Sequence, residues 1–386
     1  MSSKETLARL IAFDTVSRNS NLSLMDFVSA RLRDAGVEPR MFPSEDGAKA
    51  NLFATVGAAD VPGVMLSGHT DVVPIDGQEW TRPAFEMTEE GGKLYGRGSC
   101  DMKGFVACAL TAAERAAELH RAGKLKTPLH LAFSYDEEVG CIGVQGMIKT
   151  LADEGVRPLF CIVGEPSEMR IATGHKGKVT FAARCIGREA HSALVTSGVN
   201  AIYLASELVG EVRRIQEEII RDSRHDGDYA VPYSTMHVGT FNGGVALNIV
   251  PNFAEVVFEC RNIAEEDTDA VIAKVRDAAE RISAGVRGEF PEAGVEIEVR
   301  GEVPALGTAV DSEVVEFVKK VTGANDTTKV SYGTEAGLFS RDMGVPTVIC
   351  GPGCMDQGHK PDEFVTVEQL NLCDAMMDSL LEQLQV

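Results

Sequence analysis

Short apolar runs alternate with longer helical patterns over the first 165 residues. VMLSG (64–68), LHLAFSY (129–135) and LFCIVG (159–164) are nearly continuous Val-, Ile-, Leu- and Phe-rich stretches, as expected of strands buried on both faces. Between them, GFVACALTAAERAAELHRAG (104–123) repeats Ala and Leu at helical spacing and ends on a Gly suited to a helix C-terminus. IGVQGMIKTLADEG (142–155) reads as a second helix. The alternation predicts a mostly parallel α/β sheet with helices on both faces.

After Gly177 the period changes. KVTFAARCIG (178–187) alternates like a half-buried strand, and residues 200–222 form a long amphipathic helix. Strands at 234–244 and 252–262, a helix at 268–285 and a strand at 295–303 complete the order βαββαβ. That order is the ferredoxin-like unit, one antiparallel sheet with two helices on one face. The α/β pattern resumes at about 304, with helices near 311–322 and 366–384 and a short strand TVIC at 347–350. The predicted architecture is therefore a discontinuous α/β domain, residues 1–177 and 304–386, interrupted by an α+β insert at 178–303. There is no internal repeat and no low-complexity tract.

Composition narrows the class. With 44% hydrophobic and 25% charged residues in 386, the chain has the makeup of a folded protein. Its 37 Lys+Arg against 58 Asp+Glu give a net charge of −21, which repels a phosphate backbone, so nucleic acid is not an expected partner. The nine cysteines are odd in number and scattered, fitting reduced thiols better than a disulfide framework. The first 20 residues lack the apolar run of a signal peptide, and no segment reaches the ~18 apolar residues of a membrane span. A cytoplasmic enzyme or binding protein with no membrane partner is the expectation.

The candidate chemistry lies in where the ligand-type side chains fall. His69, Glu137 with Glu138, Glu165 and His359 each follow a predicted strand, and Asp101 lies in the turn GRGSCD before the long helix. Open α/β sheets place their sites along that carboxyl edge. Singly, each residue has an ordinary reading: Asp101 as a helix N-cap, Glu137-Glu138 as solvated surface, Gly164-Glu165-Pro166 as a turn. Together they offer imidazoles and hard oxygens without thiolates, a set suited to zinc, cobalt or manganese, and carboxylates can bridge two such ions. Asp71, two residues after His69, is placed to accept the second imidazole N–H and fix the tautomer. Of two adjacent glutamates, one can bind metal while its neighbour takes a proton from water.

The strings SGHTDVVP (67–74), LYGRGSCDMKGFVA (94–107), SYDEEVGCIG (134–143), VGEPS (163–167), AHSA (190–193) and GHKPDEF (358–364) resemble, in order, those of the two-metal aminoacylase/carboxypeptidase family. That family includes acetylornithine deacetylase, succinyl-diaminopimelate desuccinylase and carboxypeptidase G. The resemblance implies two divalent ions, zinc with cobalt as the alternative, bridged by Asp101. His69 and Glu165 would hold one ion, and Glu138 and His359 the other. Glu137 would be the general base and acid, with Asp71 orienting His69.

DMKGF, YGTEAGLF (332–339) and the HKPDEF segment are most similar to acetylornithine-hydrolysing members. They imply removal of acetyl from N2-acetyl-L-ornithine, a step of arginine biosynthesis. Other N-acyl amino acids, N-succinyl-diaminopimelate or dipeptides are the alternative substrates. An anionic Glu335 near the pocket would favour a substrate amine, unless it contacts backbone or a surface Lys. The resemblance further implies a homodimer joined through the insert. His191 would then reach the partner's site, with Asn248 and Arg261 as substrate contacts. Local roles remain open for these three: a helix cap, a turn before Pro251 and a cross-strand ion pair. A non-catalytic metal-binding or ligand-binding module is the rival class, and the spare carboxylate of Glu137 argues against it.

Overall fold

The computed structural model describes residues 1–385, which divide into two compact units. The first comprises Met1–Gly174, Thr308–Val330 and the chain from Thr334 onward; the second comprises His175–Gly307 with Ser331–Gly333.

The first unit is built on a mixed sheet. Its strands run in the order Arg40–Pro43, Ala50–Val56, Leu129–Ser134, Val64–His69, Phe160–Pro166, Thr347–Gly351 and Ile171–His175. The middle four are mutually parallel, and antiparallel pairs flank them on either side. The mostly parallel centre matches the expectation from the apolar runs. Val64–His69 and Leu129–Ser134 are buried at every position, which is why they show no alternation.

The long helix Lys103–Arg121 lies over this centre, with Ser3–Ile11 and Val367–Gln383 packed beside it. Its Phe105, Val106, Ala109, Leu110 and Ala113 are fully buried in the main core. Close packing here depends on Gly164, because a Cβ at that position would fall 1.9 Å from the Phe105 ring. The glycine thus lets helix and strand approach at the residue before Glu165. Helices Ile142–Asp153 and Ala336–Met343 pack together and against other strands of the sheet.

The second unit is a four-stranded antiparallel sheet in the order Thr235–Gly243, Phe253–Arg261, Lys178–Ile186, Gly294–Val303. Two amphipathic helices pack on it. Ala201–Asp222 buries Leu204, Leu208, Val212, Ile215 and Ile219, a stripe with near-helical spacing, and Thr268–Arg287 buries Val271, Val275 and Ala279. Both start on side-chain caps, Asn200 accepting from the Ile202 N–H at 2.9 Å and Asp267 from the Ala270 N–H at 3.0 Å. Phe181 and Phe258 stack at 4.9 Å in the core beneath. This is the ferredoxin-like arrangement. Among the described residues no helix is long and apolar enough to cross a membrane.

Candidate metal centre

All five proposed ligands lie in the first unit, at the carboxyl edge of its parallel strands. His69 is the last residue of Val64–His69, and Glu165 sits near the end of Phe160–Pro166. Glu138 follows Leu129–Ser134 by four residues, and His359 lies in the segment after Thr347–Gly351. Asp101 lies two residues before the long helix, whose cap is Met102 with no side-chain cap bond, so Asp101 is not a helix cap.

The side chains form two groups that share Asp101. His69, Asp101 and Glu165 make one, and Asp101, Glu138 and His359 the other; in each the ligand-type atoms lie within 4.8 Å of one another. Oδ1 of Asp101 is 3.0 Å from His69 Nε2, while its Oδ2 is 3.1 Å from His359 Nε2. The two oxygens of one carboxylate thus face different imidazoles. Glu165 Oε1 lies 3.7 Å from His69 Nε2, and Glu138 lies 3.1 Å from His359 Nε2. His69, Asp101 and Glu165 are buried, whereas His359 is about half exposed.

The electrostatics call for cations. Burial pushes the Glu137 carboxyl up to about 8, and the charges of Glu138, Asp101 and Asp71 add to the shift. Burial and Asp101 likewise raise Glu138 to about 7, and raise Glu165 well above the carboxylate range. Burial alone would depress His69, but hydrogen bonding to Asp101 and the surrounding carboxylates outweigh it. Asp101 and Glu138 draw His359 up to about 10. Asp101, although buried, is held low by the two imidazoles. Buried like charges at this density are stabilised by cations, and Glu165 Oε1 has no hydrogen-bond partner. Two imidazoles and three carboxylates, one with an orphaned oxygen, fit divalent metal.

Glu137 belongs to neither group. Its Oε1 accepts from the Cys141 thiol at 3.2 Å. Asp71 differs from the expectation in detail. His69 Nδ1 is 2.9 Å from the backbone carbonyl of Asp71 and 3.6 Å from its carboxylate. The tautomer-fixing acceptor is therefore the main chain. The Asp71 carboxylate instead accepts from the Ser17 hydroxyl at 2.7 Å and from the N–H groups of Glu137 at 3.1 Å and Glu138 at 3.3 Å. It holds the turn that carries Glu137 and Glu138. Next to that turn Lys49 pairs with Asp136, a non-glycine residue at φ +55°. Nothing in the sequence singles out Ser17 or Lys49, since neither is near the turn along the chain.

The substrate candidates are placed differently. Glu335 is entirely buried, its Oε1 accepting from the Ser67 hydroxyl at 2.6 Å and its Oε2 from Ser134 at 2.7 Å. With both oxygens occupied inside the sheet, it has no exposed atom to offer a substrate ammonium, which corrects the ionic contact expected of it. His191, Asn248 and Arg261 belong to the second unit. His191 is exposed, and its Nδ1 accepts from the Ala193 N–H at 3.1 Å, capping a short 3-10 helix. Asn248 is exposed and its carbonyl accepts from the Ser192 N–H. Arg261 pairs with Glu259 on its own strand at 2.9 Å.

A carboxylate shared between two His–carboxylate groups, beside a desolvated glutamate outside both, on the edge of a parallel α/β sheet, defines a metal-dependent hydrolase. The description of Peptidase family M20/M25/M40 matches residues 65–383. An acetylornithine deacetylase of Myxococcus xanthus is 35% identical over 380 residues, covering 97% of this chain and 95% of its own length. Another, of Pasteurella multocida, is 32% identical, covering 97% and 96%. Among solved structures, an M20 family metallo-carboxypeptidase of Sulfolobus solfataricus has the same fold, with a TM-score of 0.80 at 18% identity over 100% and 99% of the two chains. A dinuclear metal-binding peptidase of Bacillus subtilis follows at 0.69 and 16%, over 98% and 96%. The chain belongs to Peptidase family M20/M25/M40 and is a metal-dependent amidohydrolase.

Proposed function

We propose that the chain hydrolyses N2-acetyl-L-ornithine to L-ornithine and acetate, using two divalent ions, zinc with cobalt able to substitute. The observation that carries the two-ion reading is the split of Asp101, whose two oxygens approach His69 at 3.0 Å and His359 at 3.1 Å. The substrate follows from the relatives in Myxococcus xanthus and Pasteurella multocida, both named acetylornithine deacetylase. His69 and Glu165 would hold one ion, Glu138 and His359 the other. When bound, the ions supply Lewis acidity that polarises the acyl carbonyl and eases ionisation of water. Glu137 takes the proton of the attacking water and delivers it to the departing amine. Asp71 fixes Glu137 through its backbone N–H, so the carboxylate arrives already oriented.

The second unit serves, in this reading, as a dimerisation domain spanning about 178–303. Strand Thr235–Gly243 is a sheet edge, and the exposed apolar side chains Leu194, Val195, Tyr203, Val245 and Leu247 lie in the same unit, several around a cleft of about 820 Å³. Such a face suits an isologous contact with a second copy, from which His191 would reach the neighbouring site to hold the carbonyl oxygen. Asn248 and Arg261 would contact substrate from the same unit. The nine free cysteines fit a reducing cytoplasm.

Other N-acyl amino acids, N-succinyl-diaminopimelate and dipeptides form the second reading. The burial of Glu335 favours keeping it, because no anionic group identified so far is then assigned to the ornithine side chain. Assaying metal-depleted protein on N2-acetylornithine, N-acetylmethionine and N-succinyl-diaminopimelate, before and after adding zinc or cobalt, tests both. The proposal expects metal-restored turnover with acetylornithine preferred. Equal turnover of acetylmethionine supports a general aminoacylase, and full activity without metal overturns the mechanism.

A further inference from the structure

The ligands are not held alike. His69 and Glu165 lie in neighbouring strands at the centre of the sheet. Asp101 and His359 lie in irregular segments, and His359 takes φ +59°, a left-handed backbone that a non-glycine residue adopts only when its surroundings hold it there.

One connected set of side chains does the holding. Glu363 is 1% exposed; its Oε1 accepts from the backbone N–H groups of Cys100 at 2.9 Å and Asp101 at 3.0 Å. Its Oε2 accepts from Arg97 Nη1 at 2.6 Å, an ion pair in which both side chains are buried. Arg97 Nη2 donates to Gln78 Oε1, which also accepts from the Trp80 indole N–H. Gln78 Nε2 then donates to the main-chain carbonyl of His359 at 2.8 Å. The path runs from the backbone of Asp101 to the backbone of His359, and its two ends are ligands of the same group.

A buried ion pair is a poor device for stability alone, since desolvation offsets much of its attraction. This one also leaves Arg97 Nε buried without a partner. What the arrangement does supply is fixed geometry between the Asp101 turn and the His359 segment, beyond the short ladder of Lys93–Tyr95 with Phe364–Thr366 that joins them at one end only. We propose that Gln78, Arg97 and Glu363 are positioning residues that set the affinity of the Asp101–Glu138–His359 site for its ion, without contacting that ion themselves. The inference rests on the two-ion reading above.

The experiment titrates metal-free protein with zinc against a competing chelator and counts both ions. It compares the unsubstituted chain with Gln78→Met, Glu363→Gln and His359→Ala, the last marking which binding step belongs to this site. Gln78→Met should weaken that step about 10–100-fold and leave the other within about twofold. Its metal-free thermal midpoint should stay near that of the unsubstituted chain, because Gln78 is only half-buried. Glu363→Gln should weaken the same step and, because the Asp101 whose backbone it holds is shared by both groups, the other step as well. If that variant does not fold, Gln78→Met, which keeps the ion pair, decides the question. In Gln78→Met, unchanged affinities, or parallel weakening of both steps with a lowered metal-free midpoint, overturn the positioning role while leaving two ions in place. An unsubstituted chain that binds fewer than two ions overturns the two-ion reading itself, and this inference with it.

Discussion

Glu335 separates a structural carboxylate from a substrate-binding one. In Glu335→Ala both acceptors vanish and the hydroxyls of Ser67 and Ser134, each within 1% of full burial, lose their partner. Hydrogen bonds to a charged group contribute ~1.5–3 kcal/mol each, so two place an upper bound of about 3–6 kcal/mol on the loss. Relief of desolvation on removing a buried carboxyl, whose pKa burial raises, works in the opposite direction. Ser67 also bonds the Ala132 carbonyl at 3.2 Å and retains that contact. The net expectation is about 2–4 kcal/mol lower stability for Glu335→Ala, and less for Glu335→Gln, which keeps an acceptor oxygen. Urea unfolding of the metal-free variants measures this, and KM for acetylornithine against acetylmethionine measures selectivity. The buried position predicts lower stability with an unchanged ratio of the two KM values. Unaltered stability with KM raised only for acetylornithine would refute it and restore an ionic substrate contact.

Three further outcomes follow from other sites. His130 is buried and its pKa is lowered by desolvation to about 4, against an ordinary value of 6.5, so the unfolded chain binds the extra proton between those values and stability rises with pH across that window. Acidification from pH 7 to about 4 should remove ~3 kcal/mol through this residue, and urea midpoints at the two pH values should converge by part of that amount in His130→Gln. Mixing inactive Glu137→Gln with inactive His191→Ala under subunit exchange should regenerate one working site per hybrid dimer; no rescue despite demonstrated exchange would leave His191 as the cap of its own 3-10 helix. Phe105→Ala, beneath Gly164 and the Glu165 strand, should cost ~3–5 kcal/mol in thermal or urea unfolding, and a smaller loss would show that the helix is not held by this contact.

Much of this arrangement is legible in the chain itself. Runs such as VMLSG and LHLAFSY read as strands because both of their faces are buried, and the change to alternation at KVTFAARCIG marks the antiparallel unit. The sheet-edge rule then gathers His69, Asp101, Glu138, Glu165 and His359 from positions nearly 300 residues apart. Of the flanking strands, Arg40–Pro43 is too short and too exposed to be told from a loop, whereas Ala50–Val56, buried at six of its seven positions, does carry the apolar run of a buried strand. Contacts that depend on tertiary approach were also out of reach. Glu335 looks like any charged residue at a helix start until Ser67 and Ser134 are brought against it. The division of Asp71 between its carbonyl, which faces His69, and its carboxylate, which holds the Glu137 turn, is a matter of ångströms. Arg97 and Glu363 lie inside recognisable motifs, but their pairing across 266 positions appears only in the fold.

The central claim is that Glu137 moves the proton while its neighbours hold metal, and Glu137→Gln tests it most directly. Metal content and acetylornithine turnover should be measured on the same preparation. The account predicts two ions per chain, as in the unsubstituted protein, with turnover lowered by ~10²–10⁴-fold. A variant that loses an ion, or one that keeps both ions and its activity, would contradict it.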